Sequence, residues 1–211
     1  MKIELKHVCK AFKKIEVIKD INLTLESGKI YGLYGRNGSG KSVLLKMISG
    51  FYIPTSGEIL YDGVNLNTKL EFPKDLRALI EGPSFFPDLS GYENLKMLAK
   101  IQHKIGEEEI IEALEIVNLK DEMKKKYGKY SLGMKQKLGI AQAIMEHPKI
   151  LILDEPFNGV EQKTVDKLID YLKELKKQDC LIIISTHIKE DLERLADIIY
   201  IMDDGKLHEE K

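Results

Sequence analysis

The sequence predicts an α/β fold built on a mainly parallel sheet, and three observations carry that prediction. The last third of the chain alternates apolar runs of strand length with amphipathic stretches of helical period. A Gly-rich loop from Gly35 to Gly40 lies between a strand-like run and a helix-like one. The first third holds short strand-like runs separated by turn residues. Strands that alternate with helices are joined by crossovers, which lay helices over both faces of a parallel sheet.

The elements follow in order. Runs 3–8, 21–25 and 29–34 read as strands, and a fourth over 58–61 comes after the turn Pro54-Thr55-Ser56-Gly57. A helix over 41–49 ends at Gly50, whose freedom at positive φ suits a helix stop. From Gly91 to Glu146 the pattern is helical, with Ile110, Ile111, Leu114 and Val117 spaced to form one apolar face. An apolar strand over 150–153 precedes a helix whose stripe is Val165, Leu168, Ile169, Leu172 and Leu175. Strand 181–185, a helix near 188–196 and strand 198–202 complete the series.

The 211 residues suit one compact domain with a sizeable core. Opposite charges nearly cancel, 33 Lys+Arg against 34 Asp+Glu, which removes the electrostatic case for a nucleic-acid partner. Cys9 and Cys180 fit neither a metal-ligand spacing nor a disulfide framework, so two free thiols in a reducing cytoplasm are expected. Apolar runs fall far short of the ~20 residues a membrane span needs. The opening Met1-Lys2-Ile3-Glu4-Leu5 is no signal peptide, and neither it nor the ending Glu209-Glu210-Lys211 fits a lipidation pattern. A membrane role is therefore expected to come through a partner.

Immediately after the third strand, Gly35-Arg36-Asn37-Gly38-Ser39-Gly40-Lys41-Ser42 fits G-x-x-x-x-G-K-[ST] at every fixed position. Glycines let successive backbone N–H groups turn inward around an anion, and the helix that follows adds its positive end. The spacing assigns Lys41 to the β- and γ-phosphates and the Ser42 hydroxyl to Mg²⁺. A second signal is Asp154-Glu155-Pro156 at the end of the 150–153 strand, where ligands bind in open α/β sheets. Asp154 is expected to support the metal through its water shell, and Glu155 to polarise an attacking water. His187, after strand 181–185, is expected at the same sheet edge, within hydrogen-bond reach of the γ-phosphate.

Taken together with Tyr130-Ser131-Leu132-Gly133-Met134-Lys135-Gln136, these motifs resemble those of the ATP-binding-cassette (ABC) ATPases, whose signature usually reads L-S-G-G-Q. Ser131 and Gly133 match, whereas Tyr130, Leu132 and Met134 depart. Phe12 resembles the aromatic that stacks on adenine, and His187 the switch histidine, so the resemblance runs from Phe12 to His187. It implies a P-loop NTPase core, an N-terminal antiparallel β subdomain and an inserted helical subdomain at about 83–146, all within one domain over 1–211. It also implies nucleotide contacts from Phe12, the eight loop residues Gly35 to Ser42, and Val43. Ser131 and Gly133, at a helix start, would close on ATP held by a second, head-to-tail cassette.

Glu81 stands where the family carries a glutamine that ligates Mg²⁺, bringing a negative charge near the phosphates. Glu161 replaces an aspartate of the loop after the catalytic strand. Glu81, the Tyr-Ser-Leu-Gly-Met-Lys-Gln wording at 130–136 and the run Phe86-Pro87-Asp88-Leu89-Ser90-Gly91-Tyr92-Glu93-Asn94-Leu95 together resemble the branch tied to bacitracin-type and antimicrobial-peptide export. The resemblance implies Mg-dependent ATP hydrolysis on permease subunits at the inner face of the cell membrane. Two other readings are weaker. A soluble ABC-type ATPase of nucleic-acid or protein complexes is disfavoured by the short segment between Ser42 and Ser131, with no room for a long coiled coil. A GTPase would carry N-K-x-D, and Asn118-Leu119-Lys120-Asp121 has the wrong order.

Overall fold

The computed structural model describes residues 1–66 and 71–210. Lys211, the last residue of the C-terminal run weighed above, lies outside them. β1 (Lys2–Phe12) and β2 (Ile15–Glu26) form an antiparallel hairpin, and β3 (Ile30–Tyr34) and α1 (Lys41–Ile48) follow. β4 (Ser56–Tyr61) returns to pair antiparallel with β1, giving a three-stranded sheet in the order β2-β1-β4. β5 (Leu76–Leu79) then enters the second sheet. Between it and β6 (Ile150–Asp154) lie α2 (Gly91–Gln102), α3 (Glu107–Ile116) and α4 (Leu132–Ile144). The chain continues through α5 (Gln162–Lys177), β7 (Leu181–Thr186), α6 (Lys189–Glu193), β8 (Ile198–Asp203) and β9 (Lys206–Glu209).

The second sheet has the order β5-β6-β7-β3-β8-β9, parallel except for β9. Its central strands β6 and β7 are apolar up to their carboxyl ends, where Asp154, Ser185 and Thr186 stand, because both faces are covered. Side chains alternate across the pleat. Ile150, Ile152, Leu181 and Ile183 join the cluster with α1 and the first sheet, whereas Leu151, Leu153, Ile182 and Ile184 join the helices on the other side.

Two strands went unread in the sequence. β5 is only Leu76-Arg77-Ala78-Leu79, and its arginine breaks the apolar run; it is fixed by parallel pairing with β6 from Leu76↔Ile150 to Leu79↔Leu153. β9 is polar and exists through its hairpin with β8. The turn there is Asp204-Gly205, both at positive φ, a dipeptide suited to tight hairpins. β1 and β2 also run beyond the expected 3–8 and 21–25, because the added residues 9–12 and 15–20 mix apolar with charged side chains and their pairing is broken by register shifts that blur the period-2 pattern.

The helical middle is three helices rather than one stretch. Residues 103–106 and 117–131 interrupt it, with His103 and Asn118 in left-handed conformations at the helix ends. Of the expected face, Ile110, Leu114 and Val117 are buried and Ile111 is half-buried. The α5 stripe is buried at all five expected positions, whereas α6 is shorter than the expected 188–196.

Candidate functional site

β6, β7 and β3 are neighbours in the sheet, so the segments leaving their carboxyl ends converge. The loop after β3 turns into α1 at Gly40, whose φ of 110° is barred to most side chains. Leu44 N–H finds Gly40 O at 2.9 Å, and the preceding N–H groups of the first turn have no carbonyl a turn behind them. They and the helix dipole make this end attractive to an anion. Lys41 is buried and folds back over its own loop, donating to Gly35 O at 2.6 Å and Arg36 O at 3.2 Å.

The register pairs Asp154 with Ser185. Asp154 is buried, accepting from Ser42 Oγ at 2.6 Å through Oδ2 and from Ser185 Oγ through Oδ1. Glu155 follows with a left-handed φ of 50° and donates its N–H to Ser185 O at 2.9 Å. Its Oε2 lies 2.8 Å from His187 Nδ1. Its Oε1 stands 3.5 Å from Lys41 Nζ and is buried without a hydrogen-bond partner. A cavity of about 280 Å³ opens between these groups, lined by Val17, loop residues Asn37, Gly38 and Gly40, the helix start Lys41, Ser42 and Val43, and the acids Asp154 and Glu155. A larger, open groove of about 630 Å³ near Tyr171 and Arg194 contains none of the expected site residues.

The donor set fits a polyphosphate with a hard cation. Amide donors and one lysine border the cavity, a hydroxyl and a carboxylate sit together as oxygen ligands suited to a metal, and the orphaned Glu155 oxygen lacks a proton donor.

The remaining expected residues stand apart from that cavity. Phe12 is exposed at the end of β1, its ring 5.4 Å from that of Tyr52 in an edge-on arrangement, with Lys10 Nζ 5.2 Å above it. Arg36 is exposed, and Ser39 Oγ is buried without a partner. Ser131 caps α4, its Oγ accepting from Met134 N–H at 3.2 Å. Neither Ser131 nor Gly133 lines the cavity.

Glu81, at a left-handed φ of 64°, is ion-paired with Lys46, which lies one turn beyond Ser42 on α1. That hydrogen bond raises the Lys46 pKa, and the lysine offsets the charge that Glu81 brings toward the phosphates. The Glu161 carboxyl is held below its ordinary range, first by its own backbone N–H and then by buried Lys137.

Sequence reasoning missed Ser185, Lys46 and Gln136. Ser185 was legible as the strand residue just before Thr186-His187, but its partner was set by sheet register. Lys46 and Gln136 lie on helices, where only three-dimensional placement distinguishes them from solvated positions.

An ABC transporter family model matches residues 18–158. The chain is 42% identical over 205 residues to the uncharacterized ABC transporter ATP-binding protein YybJ of Bacillus subtilis (strain 168), covering 97% of this chain and 94% of that protein. It is 40% identical to the bacitracin transport ATP-binding protein BcrA of Enterococcus faecalis, covering 99% of this chain and 68% of BcrA. To the lantibiotic transport ATP-binding protein SrtF of Streptococcus pyogenes it is 34% identical, covering 99% and 90%. Among solved structures, a dimeric post-hydrolysis state of the ATP-binding cassette MJ0796 bound to ADP and Pi superposes with a TM-score of 0.89 at 25% identity, covering 99% of this chain and 98% of that one. With the phosphate loop, paired acids and sheet order described above, these likenesses make the chain a member of the ABC transporter family, an ATP-binding subunit that hydrolyses ATP to power a transporter.

Proposed function

We propose that this subunit drives export of a peptide or drug-like molecule, working as one of two head-to-tail cassettes on integral membrane permease subunits at the inner face of the cell membrane. The observation that carries the two-chain reading is the cavity lining. The phosphate loop, Asp154 and Glu155 all contribute to it, whereas the signature residues Ser131 and Gly133 of the same chain do not. A second chain's α4 N-terminus would supply the missing anion cap, which makes ATP the link between the two copies. The named substrates of BcrA and SrtF support a peptide antibiotic as cargo.

In this reading Lys41 leaves its loop carbonyls for the β- and γ-phosphates, and Phe12 stacks on the base. Ser42, Asp154 and Glu81 would hold Mg²⁺, which when bound would neutralise phosphate charge. Glu155 accepts a hydrogen bond from the attacking water, aligns it and takes its proton as the water oxygen bonds to the γ-phosphorus and the bond to the ADP oxygen breaks, and His187 orients the Glu155 carboxylate. Exposed Phe86, beyond the Glu81 loop, offers an apolar contact for the permease. No helix among the described residues is long and apolar enough to cross a membrane, so attachment is assigned to that partner.

The test is affinity purification of the tagged chain from detergent-solubilised native membranes with Mg-ATP. Co-purification of an integral membrane subunit whose vesicles move a bacitracin-like peptide supports the proposal. Recovery with a soluble nucleic-acid complex instead reverses it.

A further inference from the structure

The loop that follows the catalytic strand is gripped from one side by a single face of α4. Gln136 Nε2 donates to Glu155 O at 3.1 Å and to Pro156 O at 3.4 Å. One turn earlier Gly133 presses on the same loop, so closely that a Cβ there would lie 2.2 Å from Gly159 O. Beside Gln136, buried Lys137 Nζ donates to Asn118 O at 3.2 Å and Glu161 Oε2 at 3.3 Å. Positions 133, 136 and 137 share a helix face, being three and four residues apart. They meet residues 155, 159 and 161 of the loop.

The grip has its main consequence at Glu155. A left-handed φ of 50° is unusual for a residue with a side chain and persists only where its surroundings over-determine it. Two groups do so here. Ser185 O holds the Glu155 N–H from the sheet, and Gln136 holds its carbonyl from the helix. The carboxylate suspended between them reaches His187 with one oxygen and leaves the other buried beside Lys41.

We propose that Gln136 is a positioning residue for Glu155, using its amide to fix the backbone from which the carboxylate is aimed at the attacking water. The proposal rests on Glu155 acting as the base. Because α4 starts at Ser131, the turn assigned to the second cassette's nucleotide and the donor that aims Glu155 belong to one helix.

The experiment compares Gln136→Met, which keeps the volume and removes the donor, with Gln136→Lys, which retains one. The Met variant should lose about tenfold in kcat, the scale of one hydrogen bond felt at the transition state, with KM for ATP within about twofold. Lys should recover most of the rate, and Gln136→Ala, which removes the amide without adding bulk, replaces Met if Met packs badly. Hydrogen exchange of the nucleotide-free protein should quicken at residues 155–160 in the donorless variants. In the Glu155→Gln background, Gln136→Met should cost no further rate, since the group it aims is gone.

Equal kcat for Met and Lys, unaltered exchange, or a further tenfold loss in the Glu155→Gln background each overturns the positioning role. Wild-type turnover by Glu155→Gln alone overturns the base assignment, and with it this inference. Normal Gln136→Met turnover beside an inactive Glu155→Gln overturns only the inference.

Discussion

Replacing Asp154 separates what the carboxylate does for the fold from what it does for a metal. It accepts from two hydroxyls, Ser42 Oγ and Ser185 Oγ, and Ser185 is fully buried. Asp154→Ala takes the acceptor from the fully buried Ser185 hydroxyl, a penalty of about 1–3 kcal/mol. Ser42, only partly buried, recovers a partner from solvent and adds less. A total near ~3 kcal/mol corresponds to a fall in Tm of about 6–12 °C for a chain of this size. Asp154→Asn retains an acceptor for one hydroxyl and offers a donor to the other, which rotates to accept, so its Tm should fall by only about 2–4 °C. Both variants should lose the extra Tm that Mg²⁺ adds in the presence of ATP, because the charge that supports the cation is gone. Thermal unfolding followed by circular dichroism, with ATP and with or without Mg²⁺, reads all of these values. An Asp154→Ala protein as stable as wild type, or an Asp154→Asn protein with the full Mg²⁺ increment, would contradict these two roles of the carboxylate.

Lys41→Ala should weaken ATP binding by about tenfold to a hundredfold, the scale of a charge-assisted hydrogen bond, measured with a fluorescent ATP analogue; unchanged affinity would contradict the cradle. At Asp197 burial pushes the carboxyl pKa up, but Lys176 and the Ile30 N–H outweigh it and leave the group below its ordinary value. Its stabilising contribution is therefore complete above the unfolded pKa and fades as pH falls toward the folded one, so the Tm gap between wild type and Asp197→Asn should narrow as pH falls below about 4. A gap that widens on acidification contradicts this assignment. Burial pushes the Cys180 thiol up to about 12, while Cys9 is half-buried. Iodoacetamide at about pH 8 should label Cys9 first in the native protein and both thiols after unfolding, read by mass spectrometry; prompt native labelling of Cys180 would contradict its burial.

What the sequence revealed and what it hid have separate physical causes. The phosphate loop was legible because its chemistry demands glycines and a lysine at fixed spacing along a few consecutive residues. Asp154 and Glu155 were legible because an apolar strand running into two acids violates the expectation of a buried run. The stripe of α5 was legible from its period alone, since all five of its predicted apolar positions pack into the core. β5 and β9 were hidden because short or polar strands take their identity from neighbours found only after folding. Gln136 and Lys46 were hidden for a related reason. Their roles depend on bonds to Glu155 and Glu81, 19 and 35 residues away in sequence. The Glu81 departure looked costly on paper because its compensating cation lies on another element.

The most direct test follows ATP bound and phosphate released per chain in a single-turnover experiment with γ-labelled Mg-ATP, on wild type and Glu155→Gln. The role of Glu155 as base predicts equal ATP bound by both and phosphate release slowed at least about a hundredfold in the variant, the scale of a lost general base. Release at the wild-type rate, or failure of wild type to bind ATP at all, would contradict it.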